Sequence, residues 1–65
     1  MESINEFVKM WNEGLVNYIY EHNGTEIVAD RYEIIIDRGE DSVIHLYYDY
    51  GFVAKILLKN IKTIY

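Results

Sequence analysis

The sequence predicts an α+β fold in which one N-terminal helix packs on a small antiparallel β-meander of three to four strands. Three observations support this prediction. Apolar residues recur at helical spacing over about residues 3–22, β-rich segments fill about 31–37, 43–48 and 52–58, and turn-forming residues separate these segments. A chain of 65 residues can build one small core. We therefore expect a single domain over residues 1–65.

The predicted helix begins at a capping box. Ser3 precedes Glu6 by three residues, so the serine oxygen can accept the Glu6 amide while the glutamate reaches back to the Ser3 amide. An apolar stripe at helical spacing follows and would bury one side of the helix. Its members are Ile4, Phe7, Val8, Trp11, Leu15, Tyr18 and Ile19. Asn23 and Gly24 favour the left-handed conformation that ends a helix, so we expect the helix to stop at about residue 22.

The predicted meander depends on two hairpin registers that share the central strand, 43–48. A five-residue loop at 38–42 would pair Ile36 with Ile44, Ile34 with Leu46 and Tyr32 with Tyr48. A three-residue loop at 49–51, with Gly51 in a left-handed bulge position, would pair Tyr48 with Phe52, Leu46 with Ala54 and Ile44 with Ile56. Both registers place the same side chains of the central strand on one face. This agreement favours a three-stranded meander.

Two alternatives stay open at the C-terminal end. Residues 61–65 fit a fourth strand after a turn at residues 59–60. Residues 53–64 also fit a helix with Lys55, Lys59 and Lys62 on its polar side. The β-rich residue types and the hairpin register favour a strand over 52–58.

The composition excludes several classes of protein. The chain has no cysteine, so it has no disulfide framework and no thiolate metal site. Its hydrophobic fraction of 51% is too high for a disordered chain, and its apolar runs, such as residues 34–36, are far too short to span a membrane. The acidic first turn lacks the apolar segment of a secretory leader. We therefore expect a soluble cytoplasmic protein with no membrane partner.

Charge is divided unevenly along the chain. Residues 1–41 hold ten of the eleven carboxylates and three basic residues, whereas residues 42–65 hold one carboxylate and three lysines. A surface so polarised produces a directional field that can steer a charged partner. The net charge of −5 opposes direct nucleic-acid binding, which depends on neutralising phosphates. The expected partner is therefore a protein with a basic surface.

Two candidate surfaces follow from the predicted elements. If the helix covers one face of the sheet, the other face presents an apolar strip rimmed by charge, as at a protein interface or homodimer contact, unless the C-terminal segment or sheet curl covers it. This strip consists of Ile35, Val43, Tyr47, Val53 and Leu57. The second surface combines carboxylates of the helix and of the first hairpin loop with two residues on the outer side of the helix. Its members are Glu6, Glu13, Val16, Tyr20, Asp37, Glu40 and Asp41.

No catalytic or cofactor site is predicted. His22 and His45 have no serine or cysteine nucleophile placed beside them, and their separation lacks zinc-ligand spacing. Asp37, Glu40 and Asp41 do not reproduce a calcium-binding loop, and the four glycines form no phosphate-binding motif. We expect no enzymatic activity, no metal and no cofactor.

In size, acidity, lack of cysteine and expected α+β fold, the chain resembles small acidic phage proteins that inhibit host defence, such as anti-CRISPR proteins. The resemblance concerns general character rather than a motif. It implies a stoichiometric inhibitor or adaptor that acts by protein–protein contact on a basic, nucleic-acid-handling partner. The alternative is a homo-oligomeric structural or regulatory protein that associates through the second sheet face or an edge strand.

Overall fold

The computed structural model describes residues 1–12 and 14–65. Within them the chain forms one α-helix, six β-strands and one turn of 3-10 helix. In chain order these are α1 (Ile4–Met10), β1 (Asn17–Glu21), β2 (Glu26–Ala29), β3 (Arg31–Ile36), β4 (Val43–Tyr48), β5 (Gly51–Leu57), the 3-10 turn (Leu58–Asn60) and β6 (Ile61–Ile64). The strands form two antiparallel three-stranded sheets, in the orders β2-β1-β6 and β3-β4-β5. The predicted α+β class with a small β-meander is confirmed.

The helix is much shorter than the sequence predicts. Its cap is close to the expected one, because the Ser3 hydroxyl accepts the Glu6 amide at 3.2 Å, although the Glu6 carboxylate accepts the Glu2 amide rather than that of Ser3. The helix ends at Met10, and residues 17–21, predicted as its second half, form β1. The prediction of a helix over 3–22 is therefore wrong.

The segment 17–21 is a strand because its burial alternates. Asn17 and Ile19 are buried, and the residue between them is exposed, which is the two-residue period of a half-buried strand. Asn23 and Gly24 form a hairpin turn rather than a helix stop. Gly24 has a φ of 91°, and this left-handed conformation lets the chain return directly as β2.

The two sheets are joined where β2 runs into β3. Only Asp30 separates these strands, and its amide donates to the Tyr47 carbonyl at 2.8 Å. The strand β6 pairs with β1, so it completes the other sheet rather than extending the meander as a fourth strand. The alternative helix over 53–64 is excluded, because most of that range lies in β5 and β6.

The two hairpins of the meander follow the predicted registers to different degrees. Ile44 pairs with Ile56, and Leu46 pairs with Ala54, as predicted. In the first hairpin Ile34 pairs with Ile44 rather than with Leu46, a shift of two residues. The shift keeps the same side chains on the core face because the side-chain period of a strand is two.

The loop between β3 and β4 explains the shift. Ser42 is fully buried, and its hydroxyl accepts the Arg38 amide at 2.8 Å and donates to the Gly39 carbonyl at 2.7 Å. These bonds close a six-residue loop at 37–42 in place of the predicted five. A β-bulge in β3 absorbs one further residue before the strands pair regularly.

The turn between β4 and β5 also differs from the prediction. It has two residues, Asp49 and Tyr50, with φ values of 52° and 67°. Both are in the left-handed region, as a type I′ turn requires. Gly51 therefore pairs with Tyr48 and does not occupy the left-handed bulge position predicted for it.

A hydrophobic core joins both sheets and α1. Its members are Ile4, Phe7, Trp11, Ile19, Ala29, Ile44, Leu46, Ile56, Leu58, Ile61 and Ile64. The rings of Phe7 and Trp11 meet the ring of Tyr32 in β3 edge-on, with centroid distances of 5.0 and 4.8 Å. Leu15, which the helical stripe would bury, is instead 93% exposed because the helix has already ended.

Candidate interaction surfaces

The β3-β4-β5 sheet has one face in the core and one face toward solvent, which we call the outer face. Ile44 and Leu46 of β4 are in the core, so the residues that alternate with them point the other way. Paired residues of neighbouring strands share a face. The outer face consists of Arg31, Glu33, Ile35 and Ile36 of β3, Val43, His45 and Tyr47 of β4, and Phe52, Val53, Lys55 and Leu57 of β5.

Two β-bulges add apolar side chains to this face. In β3 the register shift makes Ile36 pair with Val43, and in β5 a second shift makes Phe52 pair with Tyr47. Strict alternation from the core residues would turn Ile36 and Phe52 inward. Each bulge therefore moves one large apolar residue from the core face to the outer face.

Aromatic and charged side chains fix the part of the outer face near the β4-β5 turn. The Arg31 guanidinium carbon lies 4.0 Å from the centre of the Tyr47 ring, and the Tyr47 hydroxyl donates to the Glu33 carboxylate at 3.2 Å. The Phe52 ring meets the rings of His45 and Tyr47 edge-on, at 5.1 and 5.9 Å. Partial desolvation, followed by the charge of Glu33 and the hydrogen bond to it, raises the pKa of Tyr47.

An apolar strip remains uncovered on the outer face. Its members are Ile35, Ile36, Phe52 and Val53, each between 40% and 58% exposed. Of the other residues predicted for this strip, Tyr47 and Leu57 are half-buried. Val43 is buried by its own chain at 8% exposure, which leaves too little surface for the predicted contact.

The second surface gathers carboxylates from two distant segments. A β-carbon placed on Gly39 would lie 3.9 Å from the Glu2 carbonyl oxygen, so the β3-β4 loop lies against the start of α1. The Glu6 carboxylate is held in the same place because it accepts the Glu2 amide at 3.2 Å. We call this group the acidic end. We assign to it the exposed carboxylates of the two segments, Glu2, Glu6, Asp37, Glu40 and Asp41, which include the predicted Glu6 and the three predicted loop carboxylates.

Two basic residues at the acidic end offset part of its charge. Lys59 Nζ lies 3.3 Å from Asp41 Oδ1, with the two side chains 50% and 58% exposed. The Lys59 amide also donates to the Glu40 carbonyl at 2.9 Å, which ties the 3-10 turn to the loop. Arg38 in the loop is exposed. An exposed ion pair stabilises a fold little. The Met1 ammonium, next to Glu2 in the chain, donates to the Ile61 carbonyl at 3.1 Å, so five carboxylates against three cations leave this end negative.

The remaining predicted contact residues do not join the acidic end. Tyr20 is in β1, where its ring packs edge-on against Tyr65 at 5.6 Å. Hydrogen bonding to Glu26 on the neighbouring strand, followed by partial desolvation, raises the pKa of Tyr20. Val16 is half-buried just before β1. The helix whose outer side was predicted to carry Val16 and Tyr20 has already ended, and Glu13 lies outside the described residues.

A cleft next to the β4-β5 turn was missed by the sequence reasoning. It has a volume of about 480 Å³ and is lined by Gly14, Leu15, Asp30, Arg31, Asp49 and Tyr50. Tyr50 is 98% exposed because it lies at the tip of a two-residue turn. A predicted β4-β5 turn of two residues rather than three would have identified Tyr50 as exposed. No signal in the sequence marks the bulges that expose Ile36 and Phe52.

Within residues 1–12 and 14–65, no three His, Cys, Asp or Glu side chains gather to hold a metal ion. The helices described there are too short to cross a bilayer. Comparisons with protein-family models, with curated proteins and with solved structures gave no match. The function is therefore inferred from the two surfaces themselves.

Proposed function

We propose that the protein is a small acidic protein-interaction module that binds a basic, nucleic-acid-handling partner in the cytoplasm and acts as a stoichiometric inhibitor or adaptor. The observation that supports the proposal is the acidic end, where the β3-β4 loop, which carries Asp37, Glu40 and Asp41, lies against the start of α1, near Glu2 and Glu6. This is the behaviour expected of phage anti-defence proteins of the anti-CRISPR kind. No enzymatic step forms part of the proposal.

Carboxylates at this density attract surfaces that normally bind phosphates. A nucleic-acid channel is lined with lysine and arginine, and binding there derives much of its affinity from neutralising a row of negative charges. The acidic end offers such a row from a capped helix turn and a closed loop, so its backbone needs little ordering on binding. A partner that accepts it would lose access to nucleic acid.

Reversing the charge of Glu40 tests the proposal. The Glu40 side chain is exposed, so Glu40→Lys should leave the fold intact. Glu26→Lys makes the same change in net charge on β2 and is the matched control. Each protein is immobilised and incubated with cell extract at about 0.15 M salt, and bound proteins are eluted with short duplex DNA. We expect nucleic-acid-binding proteins to be recovered with the parent and with Glu26→Lys, and to be lost with Glu40→Lys.

Two results would contradict this function. Equal recovery with Glu40→Lys and Glu26→Lys would show that net charge, rather than the acidic end, attracts the bound proteins. Elution that is insensitive to DNA would show that the partner does not use its nucleic-acid surface.

A second candidate function is that of a homo-oligomeric structural or regulatory protein. The outer face supports it, because exposed large apolar side chains next to charged ones are typical of subunit contacts. The mass of the protein in solution, measured by sedimentation, separates a self-associating chain from one that binds its partner as a monomer.

A further inference from the structure

We infer that two copies of the chain associate face to face through the outer face, about a two-fold axis that runs along β4. This inference rests on the second candidate function, self-association, and specifies its geometry. The observations that support it do not involve the acidic end.

Three rows of side chains cross the outer face at right angles to the strands. Each row contains one residue from β3, one from β4 and one from β5, in that order. The rows are Arg31, Tyr47 and Phe52; Glu33, His45 and Lys55; and Ile36, Val43 and Leu57.

The central row carries opposite charges on its two outer strands. Glu33 is bound by the Tyr47 hydroxyl on one side of His45, and Lys55 is exposed on the other. In the described part of the chain, the structure contains no ion pair between Glu33 and Lys55. Both charges therefore remain available to a surface that presents the complementary charges at the same spacing.

A second copy presents those charges. Rotation by 180° about an axis along β4 exchanges β3 and β5 across the interface and keeps the position along the strands unchanged. Glu33 then faces Lys55 of the second copy, and the same contact occurs twice, as a two-fold interface requires. The outer rows match as well, because Arg31 faces the Phe52 ring and Ile36 faces Leu57 of the second copy.

The charges also favour this axis over one at right angles to the strands through the central row. A two-fold axis at right angles to the strands would keep β3 opposite β3, and it would place Glu33 against Glu33 and Lys55 against Lys55. Like charges in contact disfavour a complex strongly. Stacked sheets are commonly rotated by about 30°. The central row is the least displaced by such a rotation, because it lies nearest the centre of the face.

The apolar strip supplies the attraction between copies. Phe52 and Val53 on β5 and Ile35 and Ile36 on β3 are all exposed on this face. Face-to-face packing would remove them from water in both copies, and the row of Glu33, His45 and Lys55 would cross the middle of the contact between the two apolar pairs. Apolar contact then gives affinity, and the Glu33 and Lys55 pair gives orientation.

A charge-swap experiment tests the geometry. Masses of the parent, Glu33→Lys, Lys55→Glu and the double variant are measured by sedimentation from roughly 10 μM to roughly 1 mM, the range of weak complexes. Each single variant places like charges at both contacts, so its dissociation constant should rise by about a hundredfold. The double variant should recover dimerisation. An equal mixture of the two single variants should form a heterodimer, because every contact in it joins opposite charges.

Lys62→Glu is the matched control for Lys55→Glu, since it makes the same charge change on the exposed side of β6. It should dimerise like the parent, and circular dichroism should show the same fold for all variants. If Glu33→Lys does not fold, Lys55→Glu and Lys55→Gln still separate repulsion from loss of one charge.

The outcomes distinguish failure of the geometry from failure of self-association. A parent that stays monomeric to the highest concentration overturns both. The geometry alone is overturned if the parent dimerises and Lys55→Glu dimerises equally well. It is also overturned if neither the double variant nor the mixture recovers dimerisation. In both cases self-association would use another surface.

Discussion

Replacing Phe7 by alanine should remove most of the stability of this fold. The Phe7 side chain is fully buried and meets the rings of Trp11 and Tyr32 at 5.7 and 5.0 Å. Truncation of a buried phenylalanine costs about 3–5 kcal/mol, and loss of two aromatic contacts favours the upper part of that range. A domain of 65 residues has a total stability of about 3–10 kcal/mol. At the middle of that range, about 6 kcal/mol, Phe7→Ala loses most of the stability, and its melting temperature should fall by more than about 10 °C.

The effect should extend beyond α1. Seven residues are too few for a helix that is stable alone, so α1 is held by its contacts with the sheet. Phe7 belongs to the same core as Ile44 and Leu46 of β4. We therefore expect the helix and the sheets to unfold in one transition.

Trp11 supplies the assay, because it is the only tryptophan in the chain and lies beside Phe7. Urea unfolding is followed by Trp11 fluorescence and by far-ultraviolet circular dichroism, and the two curves should coincide. Val8→Ala is the control, since Val8 is 44% exposed on the same helix and should lose under about 1 kcal/mol. A Phe7→Ala variant within about 1 kcal/mol of the parent would refute the reasoning, and separated curves would refute the single transition.

Two further predictions concern tyrosines. Tyr50→Gly should stabilise the protein by up to about 1 kcal/mol in urea unfolding. Tyr50 has a φ of 67° and is 98% exposed, so glycine relieves backbone strain and little packing is lost. A loss of stability would mean that Tyr50 makes a necessary contact. The pKa of Tyr47 is raised in the folded state, so its contribution to stability is complete below pH 10 and is lost as pH rises through the folded value. Near-ultraviolet phenolate absorbance should show late titration from both Tyr47 and Tyr20. Tyr47→Phe should remove one part of it and leave the part due to Tyr20, and an unchanged titration would contradict this.

The sequence allowed the meander to be predicted because its pattern has one interpretation there. Ile44 and Leu46 alternate with His45 and Tyr47, and Ile56 and Ala54 match them across the β4-β5 hairpin. Alternation decides which side chains face the core, since a slip by one residue would expose the apolar ones. It does not exclude a slip by two, which keeps the same face and is what the β3-β4 hairpin shows.

The segment after α1 was misassigned because two periods fit it. Leu15, Tyr18 and Ile19 continue the helical stripe, while Tyr18 and Ile19 also fit an alternating strand. Two local signals favour the strand. Gly14 lies where the helix would have to continue, and Asn23 with Gly24 is a strong hairpin turn when an apolar segment precedes it.

The sequence allowed apolar and acidic surfaces to be predicted, but not which residues each surface contains. Residues 34–36 are three isoleucines, so the sequence gives no sign of which one a bulge would turn outward. The contact between Gly39 and the start of α1 depends on tertiary packing that local patterns do not encode. Glu6 and Asp37 could therefore be proposed separately as contact residues, and only the fold shows that they share one end.

The two proposed surfaces are linked by the position of the β3-β4 loop. An axis along β4 keeps the position along the strands unchanged, and the loop at 37–42 lies at the start of β4. Both acidic ends of the inferred dimer would therefore lie at the same end and double the charge offered to one basic partner. Their mutual repulsion weakens as salt screens charges farther apart than about 8 Å at 0.15 M. Dimerisation should therefore strengthen as salt rises from very low values, until screening begins to weaken the closer contacts between Glu33 and Lys55. A dimer that only weakens with added salt would place the two acidic ends far apart.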